Sequence, residues 1–535
     1  MATEQNQKNE MADAADGADG SLPNTQHRGI DMKAKTSQSA RLVTLASGGE
    51  FFHTPENRAF ATVTITNHKE THRLDSPTFR SWLGGRYYHR FQTPASPHAL
   101  DSAIDMLKGR AQFDGKSHNV SVRLAQGHEA IYLDLGDEKW RVVRIDSKGW
   151  EVISNPPVKF RRPSGMQALP VPEDGGSVDD LRKFVNMSDD DWVLMVAWLV
   201  GAFRPTGPFP VLELQGEHGT AKSTTSEVIR SLVDPNTCPL RSAPRDERDL
   251  MIAATNGWVI AYDNLSYIRI QLSDALCRIS TGGGFATRTL YTDQDEILLE
   301  AQRPVLLNGI EELVKRPDLL DRAVTLRLQP IPPDQRRLKH EFLAEFNEAR
   351  PRILGALLSV VSQAMNRYSD VKLDTLPRMA DFAQWSVAAE SSLGWPEGRF
   401  LKVYEANRAE AQNRAVESSP VGALIVDLAE REEWSGTATE LLSRLREDAD
   451  TDEERQLPKN ASTLSNMLNR ITSNLRSFGV LVVRDRQGKG GRRMLHITKK
   501  TVSAVSPSAE NPVTGGKTRT ISEAEMARFE LEAGS

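Results

Sequence analysis

From Gly216 to Thr224 the sequence reads Gly-Glu-His-Gly-Thr-Ala-Lys-Ser-Thr, directly after the short, mainly apolar strand Val211–Gln215 and directly before a helical stretch. A strand, a glycine loop and a helix amino terminus in that order gather backbone N–H groups around phosphate oxygens. Gly216, Glu217, His218, Gly219, Thr220, Ala221, Lys222, Ser223 and Thr224 are therefore the expected nucleotide contacts. Lys222 is expected to reach the β- and γ-phosphates, and Ser223 to ligate Mg2+. Ala221 stands where such loops usually carry their last glycine. As the smallest residue with a Cβ it suits the loop, provided its φ is not positive. A glycine loop of this kind also arises as an ordinary turn, so the strands downstream of it decide between the two. Residues 258–263 (WVIAYD) form a second apolar run ending in an acid, where a carboxylate can orient magnesium; Asp263 thus joins Ser223 as an expected metal ligand. Residues 303–308 (RPVLLN) form a third, ending in an amide able to sense a γ-phosphate. Lys222 to Asp263 is 41 residues and Asp263 to Asn308 is 45, each enough for one strand–helix unit with its loops. Arg322 comes next, placed to reach a nucleotide held by a neighbouring subunit. The expected ligands are ATP and Mg2+, and the expected catalytic set is Lys222, Asp263, Asn264, Asn308 and Arg322.

These residues need a parallel α/β sheet to hold them, and residues 211–328 supply its pattern of short apolar strands alternating with helices. The chain of 535 residues is too long for one ordinary core. Its 39% hydrophobic and 26% charged content suits a soluble multidomain protein. The net charge of −5 gives no global attraction for nucleic acid, so any such surface is local. Two cysteines exclude a disulfide scaffold or a cysteine zinc cluster and suit a cytoplasmic location. The longest apolar run, residues 192–203, is too short to span a bilayer, and the amino terminus lacks the order of a secretory signal.

The ordered series of motifs resembles superfamily 3 helicases, the compact ring ATPases of the AAA+ class found in viruses, phages and mobile elements. The resemblance covers about 211–328 and includes a further segment, STGGGFATRTLY, between Asp263 and Asn308. It implies a hairpin projecting into a central pore, with Arg288 and Tyr291 gripping single-stranded DNA. A cation for phosphates and a ring for stacking are what a sequence-blind tracker of one strand needs. The plain alternative is a core Tyr291 and an ion-paired Arg288. The resemblance also implies a homo-oligomer, in particular a hexamer, with Arg322 acting in trans. One position departs from it. The acid that usually follows the magnesium-orienting aspartate is Asn264 here, which can hold a water but cannot take its proton. Asp293, Asp295 and Glu296 are possible substitutes. The wording of the motifs is similar to ATP-binding proteins of phages and integrative elements labelled primase/helicase.

Residues 455–500 carry eleven Lys or Arg against one acid, Asp485. Leu464, Met467, Leu468, Ile471 and Leu475 fall on one helical face, and two strands joined by a glycine-rich turn follow. With helices at 420–431 and 437–447 this pattern resembles a winged helix over 418–500. Its expected duplex-DNA contacts are Arg470, Arg486, Lys489, Arg492 and Arg493. The alternative is a winged helix used for protein contact. Near the amino terminus, residues 79–91 interleave aromatic and basic residues, which suits either a nucleic-acid face or a core with Phe79, Leu83 and Tyr87 on one side. The acids at Asp134 and Asp137 lack the partners that a primase metal site needs.

The expected architecture is a multidomain α/β chain. It has a disordered tail (1–40), a β-rich amino-terminal domain (41–153) and a linker (154–178). A helical lead-in with the AAA+ P-loop core and its parallel sheet comes after these (179–332), then a helical collar (333–417), the winged helix (418–500) and a largely disordered tail (501–535). The expected function is an ATP-dependent DNA helicase or translocase in phage or mobile-element replication, with no membrane partner. The rival is a nucleotide-gated DNA-binding switch with little unwinding.

Overall fold

Residues 59–65 (AFATVTI) are rich in β-branched side chains, which pack well on a pleated surface. They form the middle strand of the first of two units into which the computed structural model divides, Met1–His118 and Asn119–Ser535. The structure describes residues 36–288, 296–487 and 492–499. Of the expected tails, residues 1–35 and 501–535 lie outside the described residues, while Gln38 to Ala40 of the first already belong to a helix.

The first unit runs α1 (Gln38–Ala46), β1 (Glu50–His53), β2 (Ala59–Ile65), β3 (His68–Arg73), α2 (Pro77–Phe91) and α3 (Pro97–Phe113). Its antiparallel sheet has the order β1-β2-β3. Ser76 and Ser96 cap α2 and α3 by accepting the Phe79 and Ala99 N–H groups, each with proline at the first helical position. Phe79, Leu83 and Tyr87 are buried together, so that face of α2 is core. Tyr88, Arg86 and Arg90 remain exposed on the other side.

The second unit opens with β4 (Val120–Ser121), β5 (Leu124–Gly127), β6 (Ala130–Asp134), β7 (Val142–Asp146), β8 (Gly149–Ile153) and β9 (Lys159–Phe160). β5 to β8 form an antiparallel meander. Residues 121–124 (SVRL) have the composition of a strand, but it is broken at Arg123, whose φ of 65° turns the chain. Residues 140–145 (WRVVRI) favour a strand by composition, but it begins only at Val142, because Trp140 closes a turn onto the Asp137 carbonyl. Asp134 and Asp137 hold Arg162 and Arg141, so both acids have structural partners. Within the proline-rich stretch 154–178, Phe160 and Leu169 are buried.

α4 (Asp189–Ala202) is capped by Ser188 and begins with three aspartates, which favour a helix amino terminus. Every residue from Trp192 to Ala202 is buried, so this helix runs through the core. Next along the chain are β10 (Val211–Gln215), α5 (Lys222–Val233), α6 (Glu247–Asn256), β11 (Ile260–Leu265), α7 (Ile270–Thr281), β12 (Gly284–Arg288), β13 (Glu296–Glu300), β14 (Val305–Gly309), α8 (Pro317–Leu320) and β15 (Ala323–Arg327). β11, β14, β10 and β15 make a parallel sheet in that order. Its two central strands, β14 and β10, are buried throughout, which suits their mainly apolar residues and leaves Glu213, Gln215 and Asn308 as buried polar groups. β12 and β13 pair separately as an antiparallel hairpin.

α9 (Lys339–Arg367), α10 (Ala380–Ala389) and α11 (Arg399–Glu417) pack beside this sheet. The chain ends, among the described residues, with α12 (Pro420–Arg431), β16 (Trp434–Gly436), α13 (Ala438–Asp448), α14 (Thr451–Gln456), α15 (Ala461–Leu475), β17 (Val480–Gln487) and β18 (Arg492–Lys499). Leu424, Leu441, Leu445, Leu464 and Leu468 knit α12, α13 and α15 into one core against the sheet β16-β18-β17. Among the described residues no helix is long and apolar enough to cross a membrane.

Candidate nucleotide site

The carboxyl ends of β10, β11 and β14 come together at one edge of the parallel sheet, the place where such sheets bind ligands. β10 delivers the chain to Gly216. A Cβ there would lie 2.7 Å from Thr220 Oγ1 and 3.0 Å from the Leu328 carbonyl oxygen, so only glycine fits. Gly219 turns the loop with φ 83°. Ala221 has φ 61° and ψ 29°, so the condition under which alanine suits this position is not met. The loop must reverse here to start α5 at Lys222, and a residue with a Cβ holds that conformation at a cost of roughly 1–2 kcal/mol. No side chain caps α5, which leaves its first N–H groups for a ligand.

Lys222 Nζ donates to the Gly216 and Glu217 carbonyls, at 2.7 and 2.8 Å. Burial pulls its ammonium below the ordinary lysine range, against the attraction of the Asp263 carboxylate. The Ser223 hydroxyl donates to Asp263 Oδ1 at 2.7 Å, joining α5 to β11. These two oxygen donors are hard ligands of the kind Mg2+ takes together with phosphate oxygens. Asn308 is buried and both ends of its amide are engaged. Its Oδ1 accepts the Asn264 N–H at 2.8 Å, and its Nδ2 donates to Ser226 Oγ at 2.9 Å. Ser226 in turn donates to the Lys222 carbonyl. Asn308 therefore ties the start of α5 to the end of β11. Asn264 is exposed, sits in a register irregularity of β11 and has φ 53°, a region where asparagine is enriched.

Several residues here gave no local signal. Arg336 lies against the loop, 3.3 Å from where a Gly219 Cβ would be, and Ile331 donates its N–H to the Gly219 carbonyl. The pair Arg336-Arg337 after a proline-rich turn is the only sequence cue to it. A cavity of about 310 Å³ opens beside Ala221, Thr224 and Thr225, walled also by Asn186, Ile331 and Phe342. Glu213 is buried inside β10. Its carboxylate accepts the Leu313 and Val314 N–H groups and the Thr325 hydroxyl, which fixes the segment after β14.

Arg322 lies elsewhere. It precedes β15, whose start pairs with the start of β10, so it occupies the amino edge of the sheet. A five-residue strand puts it roughly 15 Å from the loop of its own chain. Its Nη1 donates to the Asp318 carbonyl at 2.5 Å, and its buried Nε has no partner among the described residues. Arg288 ends β12, while Tyr291 and two of the acids considered as substitutes, Asp293 and Asp295, lie outside the described residues, as does Lys489. Glu296 begins β13. In the last module Arg470, Arg486 and Arg493 are exposed, Arg486 and Arg493 being cross-strand partners. Arg492 is paired with Glu440 at 3.0 Å. Among the described residues no group of three or more His, Cys, Asp or Glu could hold a metal ion.

Residues 178–410 match the family described as actinomycete integrative conjugative element replication protein, and residues 421–511 match the AICE RepA C-terminal domain. Over these segments the chain is similar to replication proteins of conjugative elements. No curated protein matches the chain. Among solved structures, an apo structure of the NrS-1 C-terminal region is similar at 11% identity and a TM-score of 0.37, covering 86% of this chain and 98% of that one. A JCV helicase is similar at 12% identity and a TM-score of 0.20, covering 44% of this chain and 70% of that one.

Proposed function

We propose that this chain is an ATP-dependent DNA helicase or translocase of element replication, AAA+ in its core, with ATP held between the subunits of a ring. The observation that carries the reading is the hydrogen bond from Ser223 to Asp263 beside the uncapped start of α5. It puts a hydroxyl, a carboxylate and a bare helix terminus where a magnesium–triphosphate needs them. When bound, Mg2+ would be held by Ser223 and Asp263 and would offset negative charge on the phosphates. Lys222 exchanges its loop carbonyls for β- and γ-phosphate oxygens. The cavity beside Thr224 and Thr225 receives the base. Asn308 holds Asp263 and α5 in register and senses the γ-phosphate by giving up one of its two present partners. Arg322 is too far to serve its own loop, so it serves the neighbour's and stabilises charge as the phosphoryl group departs.

The replication families matched over 178–410 and 421–511 support element replication as the setting. The β12–β13 hairpin, Arg288 and the intervening sequence with Tyr291 are assigned to single-stranded DNA in the pore. The module from α12 to β18 is read as a winged helix that binds duplex DNA through Arg470, Arg486, Lys489, Arg492 and Arg493.

A second reading is favoured by one observation. Asn264 replaces an acid, and its backbone is committed to Asn308. In that reading the protein is a nucleotide-gated DNA-binding switch, and turnover is incidental. ATP hydrolysis by the full chain, with and without single-stranded DNA and with Lys222→Ala as control, separates the two. Strong stimulation abolished by Lys222→Ala supports the motor. Tight ATP binding with negligible turnover supports the switch.

A further inference from the structure

α15 and the β17–β18 hairpin enclose a groove of about 710 Å³ whose two walls differ in chemistry. The helix wall presents Ser462, Ser465, Asn466 and Asn469, with no charge among them; the strand wall presents Arg486 and Arg493, and also Arg484, whose guanidinium is engaged by the Ser465 carbonyl. Asn466 and Asn469 are exposed, and among the described residues neither amide has a hydrogen-bond partner. Other asparagines of the same helix are committed. Asn460 caps it by accepting the Thr463 N–H, and Asn474 is buried with a partner. Leu464, Leu468 and Leu475 bury the opposite face of α15, which prevents the helix from turning these amides inward.

An asparagine amide carries a donor and an acceptor side by side. That pair matches N6 and N7 of adenine in the major groove, and discriminates against the other bases. Residues three apart on a helix share a face and differ by about 4.5 Å along its axis. That is close to the rise of about 3.4 Å per base pair, so the two amides address neighbouring pairs. Arg486 and Arg493 pair across β17 and β18 and form no ion pair among the described residues, which leaves both guanidinium groups for phosphates. Asp485 also lines the groove. Its Oδ1 accepts the Arg486 N–H at 2.6 Å, and its charge weakens indiscriminate binding to the backbone of DNA.

We propose that this groove reads the sequence of duplex DNA at adjacent A·T pairs through Asn466 and Asn469, while Arg486 and Arg493 supply a grip that is blind to sequence. The proposal rests on the DNA-binding reading of this module and adds which residues choose the site. The test uses the full chain. Bound duplexes are selected from a random pool. Affinities of wild type, Asn466→Ala, Asn469→Ala and Arg486→Ala/Arg493→Ala are then measured on the selected and a scrambled duplex at two salt concentrations. The selected motif is expected to contain neighbouring A·T pairs. Each asparagine variant is expected to lose on the order of tenfold affinity for it, with scrambled binding and salt dependence unchanged. The arginine variant is expected to weaken both duplexes alike and to flatten the salt dependence. The asparagines are exposed, so matched melting curves will show the variants folded. Arginine-dependent binding with no motif, or a motif that the asparagine variants still prefer, overturns sequence reading but leaves DNA binding standing. A wild type that retains no duplex at low salt overturns both, and leaves the groove to a protein partner.

Discussion

Ala221 is the residue at which this loop departs most from what its backbone wants. Its left-handed conformation costs an alanine roughly 1–2 kcal/mol, whereas glycine adopts it freely but brings about 0.4–1 kcal/mol more chain entropy to the unfolded state. The strain is the larger of the two, so Ala221→Gly should stabilise the protein by about 0.5–1 kcal/mol. A higher urea midpoint would show it; an unchanged or lower one would mean that the loop relaxes the angle. Lys222 is the next residue, so ATP affinity in the glycine variant should be equal or better. Asn264 poses a different question, because its position tolerates little beyond glycine, asparagine and aspartate. Asn264→Asp therefore keeps the fold while placing a carboxylate beside Asp263. If water activation limits turnover, hydrolysis should rise about a hundredfold at constant ATP affinity, the low end of what a positioned base contributes. A rate within twofold of wild type would place water activation on another group. Both substitutions leave Ser223 and Asp263 intact, so loss of nucleotide binding in either would signal a disturbed loop.

At the scale of elements, the β5–β8 meander is fastened to the far end of α5 by one buried contact. Arg123 is fully buried and donates from Nε to Asp234 Oδ1 at 3.0 Å, from Nη1 to the Asp134 carbonyl and from Nη2 to the Gln167 and Pro235 carbonyls. Asp234 also accepts the Trp258 and Val259 N–H groups, which lead into β11. Removing one partner of a buried pair costs about 3–5 kcal/mol, because the other charge stays behind unpaired. Here Asp234 keeps its two N–H donors, so Arg123→Ala should fall near the lower limit. Arg123→Met with Asp234→Asn should recover part of the loss, and urea midpoints of the single and double variants test that order. Nothing local in the sequence announces this pair, since its members are 111 residues apart. The same holds for Glu213, which reaches Leu313 across 100 residues, and for Arg336 against Gly219. The legible features were those whose spacing is set by the backbone itself. The glycine loop after β10, the acid in β11, Asn308 near the end of β14 and the apolar face of α15 each reflect strand or helix geometry over a few residues. The broken strand at Arg123 and the late start of β7 were not legible, because long-range partners and a local turn override propensity there.

At the scale of the whole molecule, the placement of Arg322 ties the proposed chemistry to oligomerisation. The loop 216–223 lies at the carboxyl edge of the sheet and Arg322 at the amino edge, so one chain cannot bring the two together without unfolding β10 and β15. If both act on one nucleotide, they come from different subunits, and a heterologous contact of that kind closes into a ring or continues as a filament. Arg322→Ala alone should lower hydrolysis on the order of a thousandfold while ATP still binds. Loss of activity in a single variant cannot separate a finger from a misplaced β15, but mixing can. Subunits carrying Lys222→Ala have no working loop and keep Arg322; subunits carrying Arg322→Ala keep the loop and have no finger. Each preparation alone should be nearly inactive. In an equal mixture that exchanges subunits, about a quarter of the interfaces join an intact loop to an intact Arg322, so activity should recover to roughly that share of wild type. No recovery, despite exchange shown by labelled subunits, would place Arg322 in structural support of its own chain. Recovery that falls on dilution together with the oligomer, with single-stranded DNA restoring both, would tie the ring to the strand it encloses.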